Sequence, residues 1–295
     1  MRTRATVAAV SGALALSALA VPASHAADRG DAAQLTRSIA SSLKESVSTA
    51  APAPARRSLA AVKTANSAPK ITKVVVNGGK PVVLDVKATK KVSLAITATD
   101  NSGVAGAAGF LWTGGATLED VTNIAVPETD DLKCKAASAT TTTCTQTVTV
   151  RSKDLANNEA KTWNAYVYAL ANDSDELEKE KAGTVKFQRA SQLTVAATPK
   201  PVKKGKTLTV TGKLSRANWE TGKNAGYAGQ SVKLQFRKKS SSTYTTIKTV
   251  KGSSTGTLKT TTTKTTAEGY WRWSFAGTSN TPAVNAAGTL VKIKK

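Results

Sequence analysis

The stretch that decides the fold runs from Val92 to Gly103 and reads VSLAITATDNSG. In its first eight residues Val92, Leu94, Ile96 and Ala98 fall on one side, and serine and threonine fall mainly on the other. A period of two is typical of a β-strand with one buried face. The residues that follow, DNSG, form a typical turn sequence. The stretch therefore predicts a half-buried strand that ends in a tight turn.

Apolar runs of this kind recur about every ten residues from Ala68 onwards, which is the spacing of a β-sandwich. A first set of seven predicted strands covers residues 71–76, 82–86, 92–98, 107–112, 144–150, 163–170 and 184–187. A second set covers residues 193–196, 207–214, 231–237, 245–250, 257–263, 270–275 and 290–293. The sequence thus predicts an all-β fold of two tandem immunoglobulin-like β-sandwich domains, at residues 68–190 and 191–295.

Residues 1–26 have the features of a secretory signal peptide. Arg2 and Arg4 precede an apolar run over residues 5–21, and Ser24-His25-Ala26 forms a small-x-small cleavage site. We expect cleavage after Ala26 and a secreted protein, extracellular or associated with the cell wall, without a membrane span. The alternative is a membrane anchor, but the apolar run is interrupted and shorter than the roughly 20 residues that a span needs.

Residues 27–67 are rich in alanine, serine and proline, a composition that predicts a partly ordered spacer. Within it Leu35, Ile39, Leu43 and Val47 recur every fourth residue. This periodicity predicts one short amphipathic helix.

The composition argues against an enzyme. His25 is the single histidine of the chain, and it leaves with the predicted signal peptide. Histidine is the usual general base and a common metal ligand, so the commonest routes to hydrolytic chemistry are closed. Residues 252–256 match the pattern G-x-S-x-G, but a serine nucleophile of that type requires a histidine. We predict no catalytic residue; the enzyme alternative is a pair of carboxylates acting as in a glycosidase.

Cys134 and Cys144 lie close together in a chain that we expect to be exported. Oxidising compartments favour disulfides, so we predict that these two residues are bonded. The alternative, two reactive thiols, lacks the Cys-x-x-Cys spacing that such thiols commonly show.

Acidic and amide residues gather at several turns of the first predicted domain. Oxygen ligands of this type can hold Ca²⁺ when the fold brings them together, although aspartate and asparagine are also ordinary turn formers. The candidate ligands are Asp100, Asn101, Asp154, Asn157, Asp173 and Asp175. We predict no cofactor, and the alternative is a bound calcium ion.

Positive charge is concentrated in the second predicted domain. Residues 191–295 contain 19 lysines and arginines against two acids, Glu220 and Glu268, which is about +17, whereas residues 68–190 contain 15 against 14. Such a domain attracts polyanions, and the alternative is a basic surface that serves solubility. The candidate contacts, in the densest positive runs, are Lys203, Lys204, Lys206, Arg237, Lys238 and Lys239. Trp219, Tyr227 and Tyr270 are candidates for a sugar-stacking or interaction surface, and the alternative for most of them is packing in the core or at its rim.

Three stretches of the second domain, residues 212–214, 227–237 and 269–273, resemble an immunoglobulin-like module of secreted actinomycete proteins. Residues 100–104 with 154–158 resemble the bacterial immunoglobulin-like repeats of surface and adhesion proteins. The resemblance implies a secreted or wall-associated binding or spacer protein, and some such relatives are described as calcium-binding.

Together these features predict a non-catalytic extracellular binding or structural protein. Its basic C-terminal domain is expected to engage an anionic cell-wall polymer or another extracellular polyanion. The alternative is a calcium-binding module that uses the acidic turns of the first domain.

Overall fold

The computed structural model describes residues 29–50, 67–127 and 132–294. One α-helix, α1, spans Arg29–Ala50, and strands with short 3₁₀ turns form most of the rest. Within these ranges no helix is both long and apolar enough to cross a membrane. The predicted signal peptide lies outside the described residues.

The first sandwich consists of nine strands in two facing sheets. The strands are β1 (Lys70–Val76), β2 (Val82–Leu84), β3 (Thr89–Thr99), β4 (Val104–Gly114), β5 (Val121–Ala125), β6 (Lys133–Ala136), β7 (Thr141–Arg151), β8 (Thr162–Ala171) and β9 (Glu176–Arg189). One sheet has the order β1-β3-β7-β6 and the other β2-β9-β8-β4-β5. Strands β2 and β9 run parallel, and the other neighbours are antiparallel.

The second sandwich is built from shorter strands. They are β10 (Ser191–Leu193), β11 (Ala196–Thr198), β12 (Val202–Lys203), β13 (Leu208–Asn218), β14 (Lys223–Gly226), β15 (Ser231–Lys238), β16 (Thr245–Lys251), β17 (Thr257–Thr262), β18 (Gly269–Phe275), β19 (Val284–Asn285), β20 (Thr289–Val291) and β21 (Ile293–Lys294). Strand β13 pairs with β10, β11, β14 and β17, and a second sheet joins β16, β15 and β18 to β19 and β20. The predicted fold class, tandem immunoglobulin-like sandwiches, is confirmed.

The predicted alternation decides which side of each strand is buried. In β3, Val92, Leu94, Ile96 and Ala98 are all fully buried, and they pack against side chains of the facing sheet. Fully burying a side chain the size of valine or leucine contributes about 1.5 to 3 kcal/mol, so this face of β3 is the one that packs inwards, while the alternate residues stay at least partly in contact with water. The same period of two buries alternate residues of β18 in the second sandwich.

Strand β4 departs from this alternation, because residues 104–113 are buried on both faces. One face meets the core of the sandwich, and the other lies under α1. Phe110 and Trp112 of β4 join Tyr166 and Tyr168 of β8 in an aromatic layer that the helix covers. A strand covered on both sides is expected to read as a continuous apolar run, as β4 does.

Helix α1 is longer than the short helix predicted from the spacing, and it packs on the first sandwich. Leu43 and Val47 are buried against the aromatic layer. Beside them Lys44 lies 3.2 Å from a carboxylate oxygen of Glu176 and 2.6 Å from one of Glu178. The part of the spacer that forms α1 is therefore attached to the first sandwich by both apolar and ionic contacts.

The two sandwiches share buried contacts at their junction. The side chain of Trp219, which follows β13, lies in the core of the first sandwich and is 3% exposed. Nearby, Arg189 at the end of β9 is buried and donates from Nε to the carbonyl oxygen of Ala217 at 2.5 Å. Burial, together with the charge of Arg216, lowers the pKa of Arg189 to about 10. The boundary between residues 190 and 191 stays a prediction.

Candidate functional site

The outer face of the β15–β18 pair combines arginine, glutamine and tyrosine. Because alternate residues of these strands point away from the core, Gln235 and Arg237 face outwards from β15, and Tyr270 and Arg272 face outwards from β18. The antiparallel register places Arg237 opposite Tyr270 and Gln235 opposite Arg272. Opposite residues of neighbouring strands are close enough for their side chains to interact.

These side chains stack into an arginine–tyrosine ladder, which we define as Arg237, Tyr244, Tyr270 and Arg272. The guanidinium carbon of Arg237 lies 4.1 Å from the ring centroid of Tyr270 and 5.3 Å from that of Tyr244. The guanidinium carbon of Arg272 lies 3.7 Å from the Tyr244 centroid. Guanidinium groups over aromatic faces are attracted by the ring quadrupole, by about 0.5 to 1 kcal/mol at exposed sites.

Hydrogen bonds orient both guanidinium groups. Arg272 donates from Nε to Oε1 of Gln235 at 2.9 Å, and Arg237 donates from Nη1 to the carbonyl oxygen of Ser241 at 2.7 Å. In the described part of the chain no carboxylate pairs with either arginine. A guanidinium carries five N–H donors in a fixed plane, so each arginine keeps donors for an anion.

The hydroxyl of Tyr244 lies close to Gly288, the residue directly before the neighbouring strand β20. A methyl group added at Gly288 would lie 2.5 Å from the Tyr244 hydroxyl oxygen, well inside contact distance. A larger residue at position 288 would therefore require the Tyr244 side chain to move.

The two acids of the second sandwich have partners other than the two arginines of the ladder. Glu220 accepts a hydrogen bond from the backbone N–H of Asn157 in the first sandwich, at 2.9 Å. Glu268 lies 3.3 Å from Nζ of Lys239. The electrostatic potential at the ladder is therefore set mainly by lysine and arginine side chains.

The structure brings the two predicted lysine runs to the same end of the second sandwich. Gly205 donates its N–H to the carbonyl oxygen of Thr265 at 3.1 Å, and Lys239 donates its N–H to that of Glu268 at 3.0 Å. The segment over residues 263–268 thus lies between the runs. The exposed members are Lys203, Lys204, Lys206, Lys238 and Lys239, and Arg237, half-buried, joins this end to the ladder.

Of the three aromatic candidates, Trp219 does not lie on a surface, because it is buried in the core of the first sandwich. Tyr227 packs edge-on against Phe275 at 5.8 Å and under Arg216 at 3.9 Å, so it lies at the rim of the second core. Tyr270 belongs to the ladder. Tyr244 and Arg272 were not among the predicted contacts. The alternation of β18 places Arg272 on the outer face, but no local pattern identifies Tyr244 as its stacking partner.

The six candidate calcium ligands divide between two ends of the first sandwich. Asp100, Asn101, Asp173 and Asp175 lie in the turns after β3 and β8, whereas Asp154 and Asn157 follow β7. Because β3 and β7 are antiparallel, with Thr89 opposite Arg151, the two ends are separated by the length of β3, about 30 Å. One ion cannot be held by all six.

Asn157 has a structural role at the junction. Its Oδ1 accepts from the backbone N–H of Trp219 at 3.0 Å, and its Nδ2 donates to Oδ1 of Asn218 at 2.8 Å. Asn101 accepts from the hydroxyl of Ser67 at 3.2 Å. Asp154 receives a hydrogen bond from Asn123 through its backbone carbonyl.

The predicted disulfide is confirmed: Cys134 and Cys144 are joined by a bond of 2.04 Å between their sulfur atoms. The two residues lie directly opposite each other on β6 and β7.

Comparison with known proteins gives a short family match and remote structural likenesses. Residues 82–171 match a family described as "Family of unknown function (DUF5707)", and no curated protein matches the chain. The Yersinia pseudotuberculosis adhesin InvE is 15% identical at a TM-score of 0.25, over 74% of this chain and 58% of that one. The Escherichia coli adhesin FdeC is 14% identical at 0.30, over 78% and 66%.

A set of domains from titin is 9% identical at a TM-score of 0.25, over 76% of this chain and 66% of that one. The chain thus spans between 58% and 66% of the three structures to which it is compared. At TM-scores of 0.30 and below, these likenesses are too remote to say what this chain binds.

Proposed function

We propose that the chain is a non-catalytic extracellular binding protein whose second sandwich holds an anionic cell-wall or other extracellular polymer. The observation that carries the proposal is the arginine–tyrosine ladder, in which two guanidinium groups are fixed in place without a carboxylate partner among the described residues.

A basic surface that serves solubility alone needs no fixed geometry, because dispersed lysines achieve it. The ladder holds Arg237 between two tyrosine rings and Arg272 against one ring and Gln235, so little side-chain freedom is lost when an anion binds. Arginine matches carboxylate and phosphate groups through two parallel N–H donors, which makes it the suited residue for such a site. Both lysine runs lie at the end of the second sandwich that Arg237 joins to the ladder. They could therefore make further ionic contacts with a bound polymer, each of which adds a small contribution to affinity.

A phosphate- or carboxylate-bearing polymer is the ligand class that fits this surface. Its repeating charges would meet the ladder and the lysine runs together, whereas a small anion would meet one of them. The remaining part of the proposal, an extracellular location, rests on the predicted signal peptide and on the disulfide.

The experiment is retention of the chain from residue 27 onwards on purified cell wall, with and without its anionic polymer. Retention is expected to require the polymer and to fall steeply between low and physiological salt, because binding releases condensed counterions. The variant Lys203→Glu/Lys204→Glu should be retained less than the matched variant Lys213→Glu/Lys259→Glu. Lys213 and Lys259 lie on β13 and β17, in the sheet that does not carry the ladder. Retention that does not depend on the polymer would contradict the proposal.

A further inference from the structure

Two turns meet at one end of the first sandwich, one between β3 and β4 and one between β8 and β9. Ser102 connects them. Its backbone N–H and its hydroxyl both donate to Oδ1 of Asp100 at 2.7 Å, and its hydroxyl oxygen accepts from the backbone N–H of Asp173 at 3.3 Å. Asn172 donates from Nδ2 to the carbonyl oxygen of Ser102 at 2.9 Å.

Three oxygen atoms of this turn pair are buried and have no hydrogen-bond partner. They are Oδ2 of Asp100, Oδ1 of Asn172 and Oδ2 of Asp173. Asp100 as a whole residue is 6% exposed. A buried oxygen without a donor is unfavourable, and a buried carboxylate oxygen is more so, because the charge has lost its water. A cation bound between the two turns would satisfy all three oxygens and neutralise the charge of the two carboxylates.

The second polar atom of each side chain is held by the turns themselves. Asp100 Oδ1 is fixed by Ser102, Asn172 Nδ2 is fixed by the Ser102 carbonyl, and Asp173 Oδ1 accepts from the backbone N–H of Asp175 at 3.3 Å. The three side chains are therefore oriented before any ion arrives, and an ion would displace none of these hydrogen bonds.

We propose that Asp100, Asn172 and Asp173 form a calcium site that joins the two turns. Two carboxylates and an amide are hard oxygen donors, and backbone carbonyls and water can complete the six to eight ligands that Ca²⁺ takes. Mg²⁺ requires a near-ideal octahedron and releases its water reluctantly, so it fits a set of three turn side chains less well. The site keeps Asp100 and Asp173 of the six predicted ligands, and it adds Asn172.

Such an ion would fasten the β3–β4 turn to the β8–β9 turn, across the two sheets of the sandwich. The turns are already close: a methyl group at Gly103 would lie 2.6 Å from Nδ2 of Asn172. The proposal does not depend on polymer binding, since the site lies on the first sandwich and the ladder on the second.

The test is thermal unfolding and calorimetric titration of the chain from residue 27 onwards, after removal of metal with a chelator. Calcium at about 5 mM is expected to raise Tm by about 2 to 5 °C, with a Kd of about 0.1 to 1 mM as in other extracellular modules. Magnesium at the same concentration should leave Tm unchanged. An equal shift with magnesium would overturn the proposal, because it would show general screening of acidic groups.

Asp173→Asn and Asp100→Asn should each abolish the calcium-dependent shift, and Asp154→Asn, the same change at the other end of the sandwich, should preserve it. Asp173→Asn also covers the case in which Asp100→Asn fails to fold, since Asp173 is not needed to orient Ser102. The absence of both heat and a Tm shift in the unmodified chain would overturn the proposal. So would a shift that survives Asp173→Asn.

Discussion

Trp219 of the second sandwich donates its indole N–H to the carbonyl oxygen of Leu84 in the first sandwich, at 3.2 Å. The ring is buried among side chains of the first core. A tryptophan supplied by one sandwich thus completes the core of the other, and the two are joined by a packed junction. The stability of the first sandwich is therefore expected to depend on a residue outside its own strands.

Replacing Trp219 with alanine should lower the free energy of unfolding by about 3 to 5 kcal/mol, because it leaves a large cavity and removes the donor to Leu84. Trp219→Phe keeps part of the apolar volume and should cost about 1 to 2 kcal/mol. Urea unfolding of the chain from residue 27 onwards measures both. A loss below about 0.5 kcal/mol for the alanine variant would show that the junction is not packed as described.

Helix α1 should be released by a charge in its buried stripe. Val47 is fully buried against the sandwich, so Val47→Asp is expected to expose α1 to trypsin at Arg37 and Lys44. The matched variant Ser41→Asp places the same charge on the exposed side of the helix and should be cleaved at the rate of the unmodified chain. The measurement is the rate of appearance of the N-terminal fragments. Equal cleavage of the two variants would mean that the packing of α1 on the sandwich does not depend on its buried stripe.

Docking of α1 is also expected to weaken in acid. The hydrogen bond from Lys44, with a second from Tyr166, lowers the pKa of Glu178, so this pair stabilises the folded chain above the ordinary glutamate range. The contribution disappears as pH falls through the lowered pKa of Glu178. Hydrogen bonding to Glu178 raises the pKa of Lys44, so the pair persists at neutral pH and is lost in alkali above the ordinary lysine pKa.

Both partners are partly exposed, so the pair should contribute no more than about 1 kcal/mol. Amide hydrogen exchange of α1 between neutral pH and about pH 3 should show a loss of protection that Lys44→Met reduces, since the variant has no pair to lose. An identical acid dependence in Lys44→Met would assign the effect to other carboxylates.

The disulfide between Cys134 and Cys144 is expected to form in the exported protein. Alkylation without reductant should add no mass to the chain, and reduction should allow two additions. Replacing both cysteines with alanine should cost about 2 to 3 kcal/mol, because the unfolded chain gains the freedom of the opened loop. Two additions before reduction would contradict the assignment.

The sandwich strands were predictable because alternation is a local property of each strand, as in β3. Strands β5 and β6 were not predicted, since they are short and bury little of their own surface. The run from Trp163 to Ala171 in β8 carried a further signal: it is apolar on both faces, and a strand of this type needs a cover on each side. The cover is α1. The apolar stripe of this helix was predicted from the sequence, but its packing on β4 and β8 was not.

The positive charge of the candidate surface was predictable from the sequence, but the arrangement of its side chains was not. The excess of lysine and arginine was evident from composition, and the phase of β15 and β18 placed Arg237 and Arg272 outwards. Their stacking depends on the register between strands and on the place of Tyr244 in a loop, which no local pattern determines. The sequence left Trp219 between a surface and a core position, because its partner, the first core, lies more than a hundred residues away in the chain.

The most direct test of the central proposal is the salt dependence of binding to a purified phosphate-bearing cell-wall polymer, measured by titration at several salt concentrations. The unmodified chain should lose affinity steeply as salt rises. The ladder variant Arg237→Gln/Arg272→Gln should bind at least about tenfold more weakly and show a shallower slope, because two fixed contacts are gone. The control Lys213→Gln/Lys259→Gln, which removes the same charge from the opposite sheet, should bind nearly as well as the unmodified chain. Equal weakening of the two variants, or binding indifferent to salt, would show that the ladder is not the binding surface.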